Sequence, residues 1–473
     1  MPFRDDFRWG TATASYQIEG TPTRQGGGES VWDMFCRRPG AIKDGSSGVI
    51  ACDHAERYRQ DVALMRDCGA GAYRFSLSWP RILPEGTGRI NESGLGFYDR
   101  LVDELLAAGI EPWATLFHWD LPLALHYRGG WLNRDSFEWF AEYTAVVMER
   151  LSDRVSHWMT LNEPQCFIGL GHRTGVHAPG MKLGWEEILR AGHHAMLAHG
   201  RAVQVIRAQT KTPATVGYAP VGVVKIPASS RPEDLEAART AMFTVPQGNF
   251  WNNTWWLEPV LRGHYPEDGM DAFEGARPPV LPGDLEIMNQ PLDFLGANIY
   301  NGQPVRRGPD GRPEEPRQPH GIGRTVYDWP VTPEALYWGP RFFFERYGLP
   351  IVITENGVST SDWVGLDGKV HDAARTDLLH RYLLELKKAV DDGVDVRGYF
   401  HWSLMDNFEW HEGGHQRFGL VHVDFATQQR TLKDSAAWFR ELSRSNGESL
   451  TLENLEMPEK LEALERLVTE PAR

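Results

Sequence analysis

Cysteine is scarce in this 473-residue chain, and its four copies are not arranged to work together. Cys36, Cys52, Cys68 and Cys166 form no C-x-x-C pair, and no histidine pair stands beside them at zinc-ligand spacing. They read as free thiols of a reducing compartment rather than a disulfide framework. Long apolar runs are also missing, with nothing near the ~18 residues a membrane span needs. The start, M-P-F-R-D-D-F-R-W-G, has no basic segment leading into an apolar one, so no signal peptide is expected and the cytoplasm is the default location. Positive charge is in deficit: the formal net charge is −15. That argues against nucleic acid or an anionic membrane as partner. No G-x-G-x-x-G follows the first apolar run, so the phosphate loop usual in an open doubly wound sheet is lacking. Asp53–His54 and His193–His194 fall on helical stretches and read as structural, so neither a metal nor a cofactor is expected.

What is present is aromatic. Tryptophan alone numbers 18, and an indole offers a flat apolar face plus one N–H donor, suited either to a large core or to sugar rings. Along the chain, short apolar runs alternate with amphipathic stretches. The runs are Phe7–Ala12, Ala72–Leu77, Glu111–Phe117, His157–Leu161, Thr215–Pro220, Phe294–Asn298, Pro350–Thr354 and Val396–His401. Helical periodicity covers His54–Cys68, Tyr98–Ala108, Phe137–Leu151, Leu189–Ala208, Leu336–Tyr347, Arg375–Asp391 and Ala436–Ser443. Eight strands alternating with helices predict an α/β fold, a (β/α)8 TIM barrel of one domain with long βα loops; an open doubly wound sheet is the alternative. The barrel is placed at residues 1–445. Pro304–Gly323, rich in proline, glycine and arginine, reads as a long loop excursion. Residues 446–473 form a C-terminal extension with apolar positions at Leu452, Leu455, Leu461, Leu464 and Leu467, either a docked amphipathic helix or a solvated tail.

Active sites of such barrels gather at the C-terminal ends of the strands. The polar residues at or after the predicted runs are Gln17 and Glu19; Arg74; His118, Trp119 and Asp120; Asn162 and Glu163; Asn298 and Tyr300; Glu355 and Asn356; and Trp402, Asp406, Asn407, Glu409 and Trp410. Acids, amides and indoles with few cations suit a neutral, polyhydroxylated ligand. Glu163 and Glu355 each end a β-rich run and each stand beside an asparagine. One protonated and one ionised carboxyl provide what glycosidic cleavage needs, a proton for the leaving oxygen and electrons for the anomeric carbon. Taken singly, an acid at a strand end is more often a salt-bridge or cap residue.

Seven segments carry a resemblance. T-L-N-E-P (Thr160–Pro164) and I-T-E-N-G (Ile353–Gly357) look like the two signatures of glycoside hydrolase family 1, and F-R-W-G-T-A-T-A-S-Y-Q-I-E-G (Phe7–Gly20) resembles its N-terminal signature. Y-R-F-S-L-S-W-P-R-I, L-F-H-W-D-L-P, D-N-F-E-W and R-F-G-L-V-H-V-D-F are similar to further family segments, in order, from about residue 3 to about 445. The resemblance implies a retaining β-glycosidase, foremost a β-glucosidase, with Glu163 as acid/base, Glu355 as nucleophile and the two carboxyls about 5–5.5 Å apart. Arg74 would keep Glu355 ionised, and that charge would raise Glu163. By the same resemblance Gln17, His118, Asn162 and Glu409 bind sugar hydroxyls. Trp402 stacks beneath the ring, Trp410 adds an N–H, Tyr300 lies close to the nucleophile, and Trp119 and Phe418 wall the pocket, with Asn298 in support. An acid at Glu409 would repel a 6-phosphate, so non-phosphorylated glucosides are expected, with galactosides and fucosides tolerated.

Two departures stand out. Gln165 follows N-E-P where many members of that family carry tryptophan, which implies a more open or polar leaving-group subsite. The resemblance also ends before residues 446–473. A small glycoside is thus the expected partner, and self-association is left open. Transglycosylation or specialisation for particular aglycones is the alternative activity, and a non-enzymatic sugar-binding barrel would have lost one of the two glutamates.

Overall fold

The computed structural model describes residues 2–317 and 320–451. Eight parallel strands close into a barrel: β1 (Arg8–Ala12), β2 (Ala72–Ser76), β3 (Glu111–Phe117), β4 (His157–Asn162), β5 (Thr215–Ala219), β6 (Phe294–Asn298), β7 (Ile351–Asn356) and β8 (Val396–Trp402). Each pairs with its neighbour in sequence, and β1 completes the ring by pairing with both β2 and β8. Parallel strands are covered on both faces, so they read as continuous runs rather than alternating ones. Every residue of β2 and β7 is buried. Inside the ring the packing is tight. A Cβ on Gly10 would stand 2.5 Å from the Phe400 ring, so glycine there is what lets that ring fill the lumen.

The principal helices on the outside are α1 (His54–Asp67), α2 (Glu92–Ala107), α3 (Ser136–Leu151), α4 (Trp185–Gln209), α5 (Thr254–Leu261), α6 (Ala335–Tyr347), α7 (Ala373–Asp391) and α8 (Asp434–Arg444). Gly69 and Gly109, both at positive φ, stop α1 and α2, where a side chain would be strained. All eight expected strands occur, with ends within two residues of the expected ones. The largest shift matters chemically: β7 runs on through Glu355 and Asn356, so the acid is a strand residue held by pairing with Asn298 of β6.

The structure corrects one expectation. Pro304–Gly323 is not simply a loop excursion: Gly302–Arg307 and Pro313–Glu314 are strands and, with Val224–Pro227, build a three-stranded sheet beside the barrel mouth. That sheet is largely solvent-facing, so its charged and proline-bearing strands lack the apolar signature of a core strand. At the other end of the chain, Asn446 ties back to the start. Its amide donates to Phe3 O at 2.8 Å, and its Oδ1 accepts from the Trp9 indole at 3.0 Å. The apolar positions from Leu452 to Leu467 lie outside the described residues. Among the described residues no helix is long and apolar enough to cross a membrane, and no cluster of three or more His, Cys, Asp or Glu could hold a metal.

Candidate active site

The C-terminal strand ends open onto a cavity of about 580 Å³, lined by Glu163, Glu355 and Glu409 among others. The two acids singled out in the sequence thus face one space. Glu163 is 7% exposed and Glu355 4%, so each carboxyl's charge is governed by its neighbours rather than by water.

A continuous relay of hydrogen bonds joins them. Arg74, fully buried on β2, donates from Nη1 to Glu355 Oε1 at 2.6 Å and from Nη2 to Asn162 Oδ1 at 2.6 Å. Asn298 donates from Nδ2 to that same Asn162 oxygen at 3.0 Å and to Glu163 Oε1 at 2.8 Å. Thr354 donates to Asn298 Oδ1 at 2.6 Å, which fixes the orientation of the Asn298 amide. Tyr300 donates to the other oxygen of that carboxyl, Glu355 Oε2, at 2.7 Å. These residues meet across the mouth of the ring: they come from β2, β4, β6 and β7, of which only β6 and β7 are neighbours, and closure of the barrel turns their last inward-pointing side chains toward one another.

The relay treats the acids differently. Burial raises Glu355, but Arg74, Tyr300 and Asn298 all favour its ionised form. Burial also raises Glu163, and the Glu355 charge adds to it, with only Asn298, Cys166 and the more distant Arg74 opposing. Glu355 therefore ionises first and keeps the proton on Glu163. Backbone geometry contributes as well. Glu163 has φ of 47°, a left-handed conformation unusual for a side-chain-bearing residue, and Trp119 and Trp410 share that feature at 83° and 52°. Strain of this kind costs roughly 1–3 kcal/mol per residue and persists where the surrounding structure enforces it, commonly at functional sites.

Around the acids, the other sequence candidates come together. His118, Trp119, Asn298, Tyr300, Trp402, Trp410 and Phe418 line the cavity. Gln17, Asn162 and Arg74 lie just behind it as fully buried supports. Gln17 donates to Glu409 Oε2 at 3.2 Å and to Asn407 Oδ1 at 3.0 Å, while its own Oε1 has no partner. A buried amide oxygen left unpaired at a cavity edge is suited to a ligand hydroxyl. His118 stacks near Trp402, centroids 5.6 Å apart at 20°. Burial and Arg74 hold His118 well below the usual histidine range, so it is neutral. Burial, then the Glu355 charge, raises Glu409 to about 8.

Some neighbouring residues prove structural. Glu19 is buried against Arg81 at 2.9 Å. Asp406 pairs with Arg417 and Lys433 at 2.6 and 2.7 Å. His193 bonds Tyr265 and Asp284, and His54 bonds Asp61. Gln165 requires a correction. It does not line the cavity and does not make the leaving-group side polar. It is fully buried, with its amide spent on backbone: Nε2 donates to Val221 O at 3.2 Å and Oε1 accepts from Val221 N at 3.2 Å. Among the lining residues that sequence reasoning missed are Cys166, Tyr327 and Trp329. Cys166 donates from Sγ to Glu163 Oε2 at 3.1 Å, a contact its position three residues after the acid could have suggested once a helical turn was expected there. Tyr327 and Trp329 stack on each other at 4.3 Å and come from a long loop with no periodicity to place them.

Comparison with known proteins follows the geometry. The family model described as Glycosyl hydrolase family 1 matches residues 1–448. Beta-glucosidase A of Thermotoga maritima is 43% identical over 446 residues, covering 94% of this chain and 98% of that protein. The aryl-phospho-beta-D-glucosidase BglC of Bacillus subtilis is 38% identical over 483 residues, covering 95% and 98%. Among solved structures, the Thermotoga maritima beta-glucosidase in complex with glucoimidazole superposes with a TM-score of 0.86 at 43% identity, covering 94% of this chain and 99% of that one.

Proposed function

The chain belongs to glycosyl hydrolase family 1 and is a retaining O-glycosyl hydrolase of the β-glucosidase kind; from that premise we propose that Glu355 is its nucleophile and Glu163 its acid/base. The observation that carries the assignment is the relay Glu355–Arg74–Asn162–Asn298–Glu163, which ionises one carboxyl and leaves the proton on the other within one cavity.

Glu355 attacks the anomeric carbon as Glu163 passes its proton to the leaving oxygen, so the glycosidic bond breaks and a glycosyl ester forms. Esterification removes the Glu355 charge, which lowers the Glu163 pKa. Glu163 then takes a proton from the incoming water as that water attacks the same carbon, and the ester is released with retained configuration. Asn162 and His118 bind hydroxyls near the reacting carbon, Gln17 and Glu409 those at the far end of the sugar, and Trp402 supplies the apolar face. Trp119, Trp410 and Phe418 close the walls. Proton NMR of the first-formed sugar should report the β-anomer. In Glu355→Gly, hydrolysis should fall more than about 10⁴-fold, beyond what loss of an acid/base alone costs, and azide should restore turnover as an α-glycosyl azide. Unchanged activity without rescue would refute the nucleophile.

We read the substrates as non-phosphorylated glucosides. Lys225 is the one Lys or Arg among the described lining residues, and it is paired with Glu315 at 2.6 Å, so a sugar 6-phosphate meets no free cation. Burial of Glu409 makes that absence, rather than carboxylate repulsion, the discriminating feature. p-Nitrophenyl β-glucoside should be preferred over its 6-phosphate; the reverse preference would overturn this. Cytoplasmic residence accords with the four free cysteines.

A further inference from the structure

Beyond the cavity that holds the acids lies a second hollow of about 350 Å³. The two share a wall made by Val223, Lys225, Asn249, Trp251 and Glu315. Trp251 is the large aromatic of that wall and is 38% exposed, although most tryptophans of this chain are buried. Its segment is not loose. The Trp251 N–H donates to Asn249 Oδ1 at 2.8 Å, and Asn252 Nδ2 donates to Asn249 O at 2.6 Å. The Phe250 ring presses so closely on Gly169 that a Cβ there would stand 2.2 Å from it. Gln165, two residues beyond the acid/base, ties this wall to the turn that carries Glu163. Its amide grips Val221 on both sides and also donates to Asn252 O at 3.4 Å. An indole carried on a hydrogen-bonded turn and left half-open at a shared cavity wall is a stacking platform. Next to it, Lys225 bonds Gln303 and Glu315, and the second hollow adds Gln247, Arg312 and Glu314, so hydroxyl donors and acceptors surround the ring. An apolar face ringed by polar groups fits a chain of sugars better than a wholly apolar leaving group.

We propose that Trp251 is the platform for the outer units of an oligosaccharide leaving group, that the second hollow continues the trough, and that Gln165 acts as the positioning residue for that wall. The inference rests on the β-glucosidase reading and adds the residues that select for linear β-gluco-oligosaccharides of three or more units over shorter ones. The test compares kcat/KM of the full chain on p-nitrophenyl β-glucoside, cellobiose, cellotriose and cellotetraose. Efficiency should rise from cellobiose to cellotetraose by about five- to tenfold, the scale of one aromatic stacking contact. Trp251→Ala should erase that rise through KM while leaving the aryl glucoside within about twofold, and Trp251→Phe should restore part of it. Gln165→Ala should lower efficiency on cellotetraose more than on the aryl glucoside, with the excess loss appearing in KM. A flat length profile in the parent protein, or an equal loss on all four substrates in Trp251→Ala, would overturn the proposal. Failure of the underlying reading is separate: the parent would then not hydrolyse the aryl glucoside.

Discussion

The two mouths of the barrel use the same residue type to opposite ends. At the C-terminal mouth, Glu163 is buried beside another carboxylate and held protonated. At the N-terminal mouth, Glu111 opens β3 and is 29% exposed, with His157 at 2.7 Å and Arg8 beside it. Burial disfavours its charge too, but His157 and Arg8 overcome that and lower it to about 2. A glutamate at a barrel strand end therefore has no inherent role. Where cations and water reach it, it is an ionic clasp; where water is excluded and a second acid is close, its pKa rises and it holds its proton.

Substitutions at each mouth would sharpen that contrast. The largest effect is expected at the cleft. Glu163→Gln should lower kcat/KM about 10²–10⁴-fold on cellobiose, the usual worth of general acid catalysis, and far less on substrates with activated aryl leaving groups. An equal loss on both would argue against a proton-donating role. Glu111→Gln should leave kcat and KM unchanged and cost about 1 kcal/mol of stability, a partly exposed pair being screened by solvent. The sign follows from a lowered pKa: the stabilisation is complete above the unfolded-state carboxylate pKa of ~4.3 and fades as pH falls towards 2. The melting-temperature gap between parent and variant should therefore close over that interval, and a gap that widens instead would contradict the ionic clasp. The smallest effect belongs to Cys166→Ala. The thiol favours ionised Glu163, so its loss should move the basic limb of kcat/KM to higher pH by less than about one unit. A shift to lower pH would mean the contact works the other way.

Much of the architecture is legible in the sequence because covered parallel strands need uninterrupted apolar runs, as in A-Y-R-F-S-L or I-V-I-T. The acids were legible because each closes such a run. The sheet around Gly302–Arg307 was not, because a solvent-facing strand such as G-Q-P-V-R-R leaves no apolar run to read. The role of Gln165 was equally hidden. A glutamine beside the acid suggests polarity in the cleft, whereas its direction is set by the unpaired backbone groups of Val221 and Asn252, 56 and 87 residues away. Tyr327 and Trp329 reach the cleft only because their loop folds back over it, a tertiary outcome without a local signature.

A ring in which every strand sits beside its successor has no privileged first member. Asn446 already clasps Phe3 and Trp9, so the two chain segments meet beneath the staves, on the side away from the cleft. A short linker joining them, with new termini opened at the exposed turn around Gly393, would preserve all eight strand pairings in a circular permutant. The same placement means that a tether attached beside Asn446, on that face, would direct the mouth outward, free for polymeric substrates to approach.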